Sequence, residues 1–150
     1  MNKRTILAAL IALGLAPAVA GAGEVTYSEN IRPIFEAHCA GCHGSDSPEY
    51  PEWKKAKQQY LSEFKGPTMA TYAHLIYFTA WPDTGALMRR LDDGKGSPDG
   101  KAGNMYVNLG GTEEARQKNL GLFKAWVGNW NLRRWKDVTK ADLDGILVPY

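Results

Sequence analysis

The sequence is poor in cysteine: Cys39 and Cys42 are the only two in 150 residues, and they stand three positions apart. A disulfide framework therefore cannot hold the chain together. A four-ligand structural zinc site lacks the second Cys/His pair it would need. Beyond residues 1–22 no segment is long and apolar enough to cross a bilayer. Strand-like alternation is missing, as are an internal repeat and a heptad. A large excess of one charge is missing too. Of the 18 basic residues, Lys3 and Arg4 belong to the N-terminal segment, and the rest balance the 16 acidic ones. Such a balance gives no nucleic-acid footprint. The composition, 44% hydrophobic and 23% charged, is that of an ordinary globular chain, at a length that suggests one domain.

The first 22 residues are of another kind. Basic Asn2-Lys3-Arg4 precedes the apolar run TILAALIALGLAPAVAG, which ends in small residues around Ala20-Gly21-Ala22. This order reads as a signal peptide over 1–22, with a mature domain over 23–150 and a periplasmic destination. In an exported chain, two cysteines oxidise to each other or are used covalently.

The mature sequence predicts an all-α fold of short helices joined by long loops. The first helix runs through TYSENIRPIFEAHC, with Asn30 as its N-cap, Pro33 in its first turn, and Ile31, Ile34, Phe35 and His38 on one face. A second helix is expected over PEWKKAKQQYLSEFK, with Trp53, Ala56, Tyr60, Leu61 and Phe64 on its stripe. ATYAHLIYF and DTGALMRRL read as a third and a fourth helix. The Gly/Asp-rich loop DDGKGSPDGKAGN then delivers Met105. The last clear helix follows Thr112, with Glu113 and Glu114 at its positive end and Gly128 as its stop. The tail from about residue 131 carries the aromatic and basic stretch WNLRRW.

Cys39-Ala40-Gly41-Cys42-His43 carries the chemistry. A dithiol oxidoreductase would place Cys-x-x-Cys after a strand, and no strand precedes Cys39. Zinc would have to conscript His38 or His74, whose spacing does not suggest it. A Cys39–Cys42 disulfide closes a tiny loop and leaves His43 unexplained. Covalent haem attachment uses every residue. Each thiol forms a thioether with a haem vinyl group, and His43 ligates iron. One haem c is the cofactor this motif predicts.

On these residues the chain resembles the class I monohaem c-type cytochromes. The resemblance runs from about Thr26 to Trp130, and CAGCH is its specific part. It implies a cytochrome c-like fold in which an N-terminal helix ends in the motif and a C-terminal helix crosses it. Phe35 occupies the position of the aromatic residue that mediates this crossing, with Trp126 or Phe123 as partner. A weaker similarity, in NMYVNLG and the insertion after the motif, is to periplasmic monohaem cytochromes associated with extracellular electron transfer or iron oxidation.

The sixth iron position has Met69, Met88, Met105, His38 and His74 as candidates, or stays open. The family's distal methionine stands just before the C-terminal helix, which implies Met105; Tyr106 follows it where the family often has proline. A neutral thioether favours ferrous iron. Arg89, Arg90, Trp53 and Trp81 are candidate donors to the haem propionates, a solvated face being the plainer reading of each arginine. The second nitrogen of His43 is expected to meet a carbonyl of Pro48 or Pro51.

The expected function is one-electron transfer between transiently bound redox proteins, without nucleic acid and without membrane insertion once the signal is cleaved. Two alternatives stand beside it. One is a haem enzyme or a gas or peroxide sensor with an open sixth site, helped by His74 or Tyr106. The other is a haem subunit of a larger oxidoreductase, docked through the tail.

Overall fold

The computed structural model of the chain describes residues 23–150, so the signal segment expected over 1–22 lies outside the described residues. Eight α-helices follow one another among them: α1 (Arg32–His38), α2 (Ala40–His43), α3 (Tyr50–Lys55), α4 (Lys57–Ser62), α5 (Tyr72–Thr79), α6 (Ala86–Leu91), α7 (Glu113–Val127) and α8 (Lys140–Asp144). A π-turn over Tyr27–Ile31 precedes α1, and a 3-10 turn over Tyr106–Leu109 precedes α7. The extended pairing among these residues is one antiparallel bridge, Gly128 to Ile146. The all-α expectation is met. No described helix is long and apolar enough to cross a membrane.

The chain enters α1 differently from the expected route. Thr26, not Asn30, is the cap: its hydroxyl accepts the Glu29 N–H at 3.3 Å. Asn30 closes the reciprocal bond, its Oδ1 accepting the Thr26 N–H at 2.9 Å. The π-turn arises where Ile31 N–H reaches five residues back to the Thr26 carbonyl, at 3.2 Å. Pro33 follows directly. Its ring would crowd a carbonyl four residues earlier, and the wider turn ahead of it gives room.

The core lies between this N-terminal stretch and α7. Tyr27, Ile31 and Ile34 pack with Leu120, Phe123, Trp126 and Val127, joined by Leu75 and Phe78 of α5 and by Leu87, Met88 and Leu91 of α6. Each such side chain contributes roughly 1.5–3 kcal/mol by leaving water. The aromatic contact to α7 is made by Tyr27, whose ring centroid lies 6.4 Å from that of Trp126. Phe35 is buried but stands outside this cluster. The expected Phe35 crossing is thus corrected. The π-turn makes the larger contact with α7, and Ile34 of α1 joins the same core. α7 itself matches expectation: Thr112 caps it by accepting the Ala115 N–H, and Gly128 ends it at φ 79°, where a side chain would be strained.

The insertion after the motif departs most from its expected form. The helix predicted over 51–65 breaks at Ala56 into α3 and α4. Its apolar stripe stays partly in solvent, with Leu61 47% and Phe64 81% exposed. Tyr50 anchors the insertion instead, its ring meeting Tyr77 and Phe78 of α5 at 5.6 and 5.2 Å. The tail is no loose end. Leu147 and Val148 N–H groups donate to the Val127 and Trp126 carbonyls, and the Pro149 carbonyl accepts from Tyr27 N–H and Trp126 Nε1. It straps the N-terminal turn to α7.

Candidate functional site

α1 runs directly into the motif. Cys39 N–H bonds the Phe35 carbonyl, and His43 N–H bonds the Cys39 carbonyl at 3.0 Å, so CAGCH is itself one helical turn. Residues three and four apart on such a turn are neighbours. The two thiols and the imidazole therefore stand on adjacent parts of one surface. Both cysteines are free thiols, which removes the disulfide reading. Burial pushes the Cys39 thiol up to about 11. His38 is exposed, at the end of α1.

The segment 66–69 runs back along the motif and holds it. Gly66 N–H donates to the Cys42 carbonyl and Met69 N–H to the His43 carbonyl, each at 2.8 Å. His43 Nδ1 lies 2.7 Å from the Pro67 carbonyl. A carbonyl only accepts, so Nδ1 carries the proton and Nε2 keeps its lone pair. The expected carbonyl of Pro48 or Pro51 is corrected to Pro67. Pro48 is used otherwise, accepting from Thr68 N–H. Gly66 lies flat against the imidazole: a Cβ there would fall 2.0 Å from Cε1 and 2.4 Å from Nδ1. No side chain fits between the segment and the ring. Burial pushes the imidazole below its ordinary value, and the Pro67 carbonyl partly opposes that.

Met105 stands on the other segment of interest. Its N–H donates to the Arg90 carbonyl at 3.0 Å, and Gly103 N–H to the Asp92 carbonyl at 2.8 Å, so the loop returns along the end of α6. Tyr106 is buried where proline was expected, and it fixes the turn to α7. Its hydroxyl donates to Glu113 Oε1 at 2.5 Å and accepts from Gln117 Nε2 at 2.7 Å. Those bonds, Tyr106 first, hold the Glu113 carboxyl down to about 2. The Met105 side chain is half-buried against the core, and its sulfur lies 3.6 Å from Asn108 Nδ2. α1, which ends in the motif, also packs on the Tyr106–Leu109 turn. The helix that leads into the motif and the turn that follows Met105 are thus neighbours in the fold.

The other candidates for the sixth position are engaged elsewhere. Met88 is fully buried, its sulfur accepting from Asn131 N–H. Met69 is tied to the motif's own side through the His43 carbonyl. His74 Nε2 faces Glu49 at 3.4 Å. Two proposed propionate donors are engaged as well. Trp53 Nε1 donates to the Lys65 carbonyl, and Arg89 binds the Thr84 and Arg133 carbonyls and faces Asp83. Arg90 reaches Asn104 Oδ1 at 2.8 Å, and Trp81 lies on the surface. One open cleft is lined largely by the start of the tail, Trp130 to Arg134, and another by Asp83, α6 residues, Asn104 and Arg134.

The PccH cytochrome c family model matches residues 26–150. The chain belongs to that family. The solved structure of monoheme cytochrome PccH from Geobacter sulfurreducens is 60% identical, covers 85% of this chain and 100% of its own, and superposes with a TM-score of 0.81. No curated protein matches. As a PccH-family protein, the chain is a small monohaem c-type cytochrome with the fold expected of one, and it binds one haem c covalently. The motif turn fits that group: it offers two free thiols one turn apart and an imidazole whose Nε2 is uncommitted. Membership in a monohaem cytochrome c family supports a haem-based electron carrier and accords with a role outside catalysis. Neither the Pro67 carbonyl nor the Gly66 backbone beside the imidazole carries a signal in the sequence.

Proposed function

We propose that the protein is an exported, periplasmic one-electron carrier whose single haem is held by thioethers to Cys39 and Cys42, with His43 and Met105 as axial ligands, within one domain over 23–150. The bound haem supplies the redox chemistry, its iron taking up and releasing one electron. The chain's part is to bind, orient and shield. Cys39 and Cys42 fix two points of the macrocycle from one helical turn. The Pro67 carbonyl holds the Nδ1 proton and so aims Nε2 outward, and Gly66 keeps the ring from rotating. Tyr106, Glu113 and Gln117 hold the turn beside Met105. The observation that carries the reading is the Nδ1 contact to Pro67, because it fixes the tautomer that leaves the His43 Nε2 lone pair free to ligate.

The alternative of a sensor or enzyme needs a free distal donor. Tyr106 is held by Glu113 and Gln117, and His74 turns its Nε2 towards Glu49, leaving only its buried Nδ1 without a partner among the described residues. A test is the intact mass of protein exported from a host that attaches haem. The expected mass is that of the chain without its leader plus one haem, with the haem lost from a Cys39→Ala, Cys42→Ala variant. Full-length mass, or haem retained by the variant, contradicts the reading.

A further inference from the structure

Five tryptophans divide into two groups. Trp53, Trp126 and Trp130 each donate their indole N–H inward, to the Lys65 carbonyl, the Pro149 carbonyl and the buried Asp92 carboxylate. Trp81 and Trp135 do not: among the described residues their indoles have no acceptor. They pair edge-to-face on the surface at 4.8 Å, 59% and 48% exposed. Beside them in the chain lie Asp83 and Arg134, which line an open cleft with Arg89, Arg90 and Asn104. Three guanidiniums thus share a cleft with one carboxylate. Asp83 faces Arg89 at 3.6 Å, while neither Arg90 nor Arg134 has a carboxylate within ion-pair distance among the described residues. The charges act on one another: after burial, the neighbouring Arg134 and Arg90 help to lower the Arg89 guanidinium, against Asp83. The cleft is therefore short of negative charge.

We propose that this cleft and the Trp81–Trp135 pair form the docking face for an acidic protein partner. Tryptophan and arginine are the residues that dominate interface hot spots, and an apolar centre with a charged rim is the usual anatomy of a transient interface. Charge complementarity selects the acidic class and steers its approach. The face also adjoins the Met105 segment, since the Met105 N–H bonds the Arg90 carbonyl and Asn104 lines the cleft. That this partner exchanges electrons rests on the carrier reading above; the acidic-partner face does not.

The probe is a synthetic peptide of glutamates around two leucines, titrated into the 15N-labelled holoprotein. Saturable shifts are expected at the Trp81 and Trp135 indole signals, with the Trp53, Trp126 and Trp130 signals as internal references. Raising salt should weaken them. Arg134→Glu, whose guanidinium holds no structural bond among the described residues, should weaken binding by roughly ten-fold or more, and Arg90→Glu should add to the loss. Arg134→Glu should keep the wild-type visible spectrum and reduction potential. A changed potential would assign the arginines to the haem propionates and overturn the partner reading. Shifts centred on Lys54, Lys57 and Phe64, or no shift at low salt, would overturn it too. Unaltered peptide binding by Met105→Ala supports the face, whatever that variant does to the iron.

Discussion

Gly66→Ala tests the proximal geometry. The added methyl would stand 2.0 Å from Cε1 and 2.4 Å from Nδ1 of His43. Carbon atoms rest about 3.5–4.0 Å apart, so ring and segment must separate by roughly 1.5 Å. The Nδ1 contact to Pro67, now 2.7 Å, cannot survive such a shift in the same geometry. Its loss costs about 1 kcal/mol, and overpacking costs typically ~1–3 kcal/mol more. Together the variant should lose about 2–4 kcal/mol. Denaturant unfolding of the holoprotein, followed by far-ultraviolet circular dichroism, measures this. Gly121→Ala is the reference substitution. Gly121 is exposed in α7 with no atom within 4 Å of an added Cβ, so the change should stabilise by about 0.5–1 kcal/mol. A Gly66→Ala protein within about 0.5 kcal/mol of wild type would refute the proposed contact between the segment and the ring.

Acid should loosen the Met105 turn. Glu113 titrates near 2 when folded, below its ordinary 4.5, so its stabilisation is complete above pH 4.5 and drains away as pH falls towards 2. Glu113→Gln should flatten that part of the stability–pH curve, and superimposable curves would contradict the Tyr106–Glu113 bond. Trp126→Ala removes a fully buried ring and the bond to Pro149, and should cost about 3–5 kcal/mol by thermal or denaturant unfolding. Removing residues 146–150 strips the backbone partners of Val127, Trp126 and Tyr27, and should lower the unfolding midpoint; an unchanged midpoint would mean the tail is not part of the fold.

Sequence reasoning succeeded where one local rule decides. Thr112, the apolar spacing of Phe123, Trp126 and Val127, and Gly128 define α7 within a few turns of chain. CAGCH reads as attachment chemistry because its spacing is that of one helical turn. Reasoning failed where distant segments choose among equivalent partners. Any proline carbonyl near the motif could satisfy Nδ1; Pro67 does so because the chain returns beside Cys42 after α4, which no periodicity reveals. Phe35 yielded its expected role to Tyr27 because the π-turn, forced ahead of Pro33, sets which side chains face α7. The stripe ending at Phe64 has the spacing of a buried face, yet only its first part is covered, and Leu61 and Phe64 stay exposed among the described residues. The tail shows no pattern alone, since its bonds are to the backbone of Trp126 and Val127.

The central claim is that both axial positions are filled by the chain, His43 on one side and Met105 on the other. Oxidised and reduced spectra of the holoprotein, with and without carbon monoxide, test it most directly when wild type is set beside Met105→Ala. Wild type should show the methionine–iron charge-transfer band and bind carbon monoxide slowly or not at all; the variant should lose the band and bind carbon monoxide readily. An unchanged band in the variant, or rapid carbon monoxide binding by reduced wild type, would contradict the account.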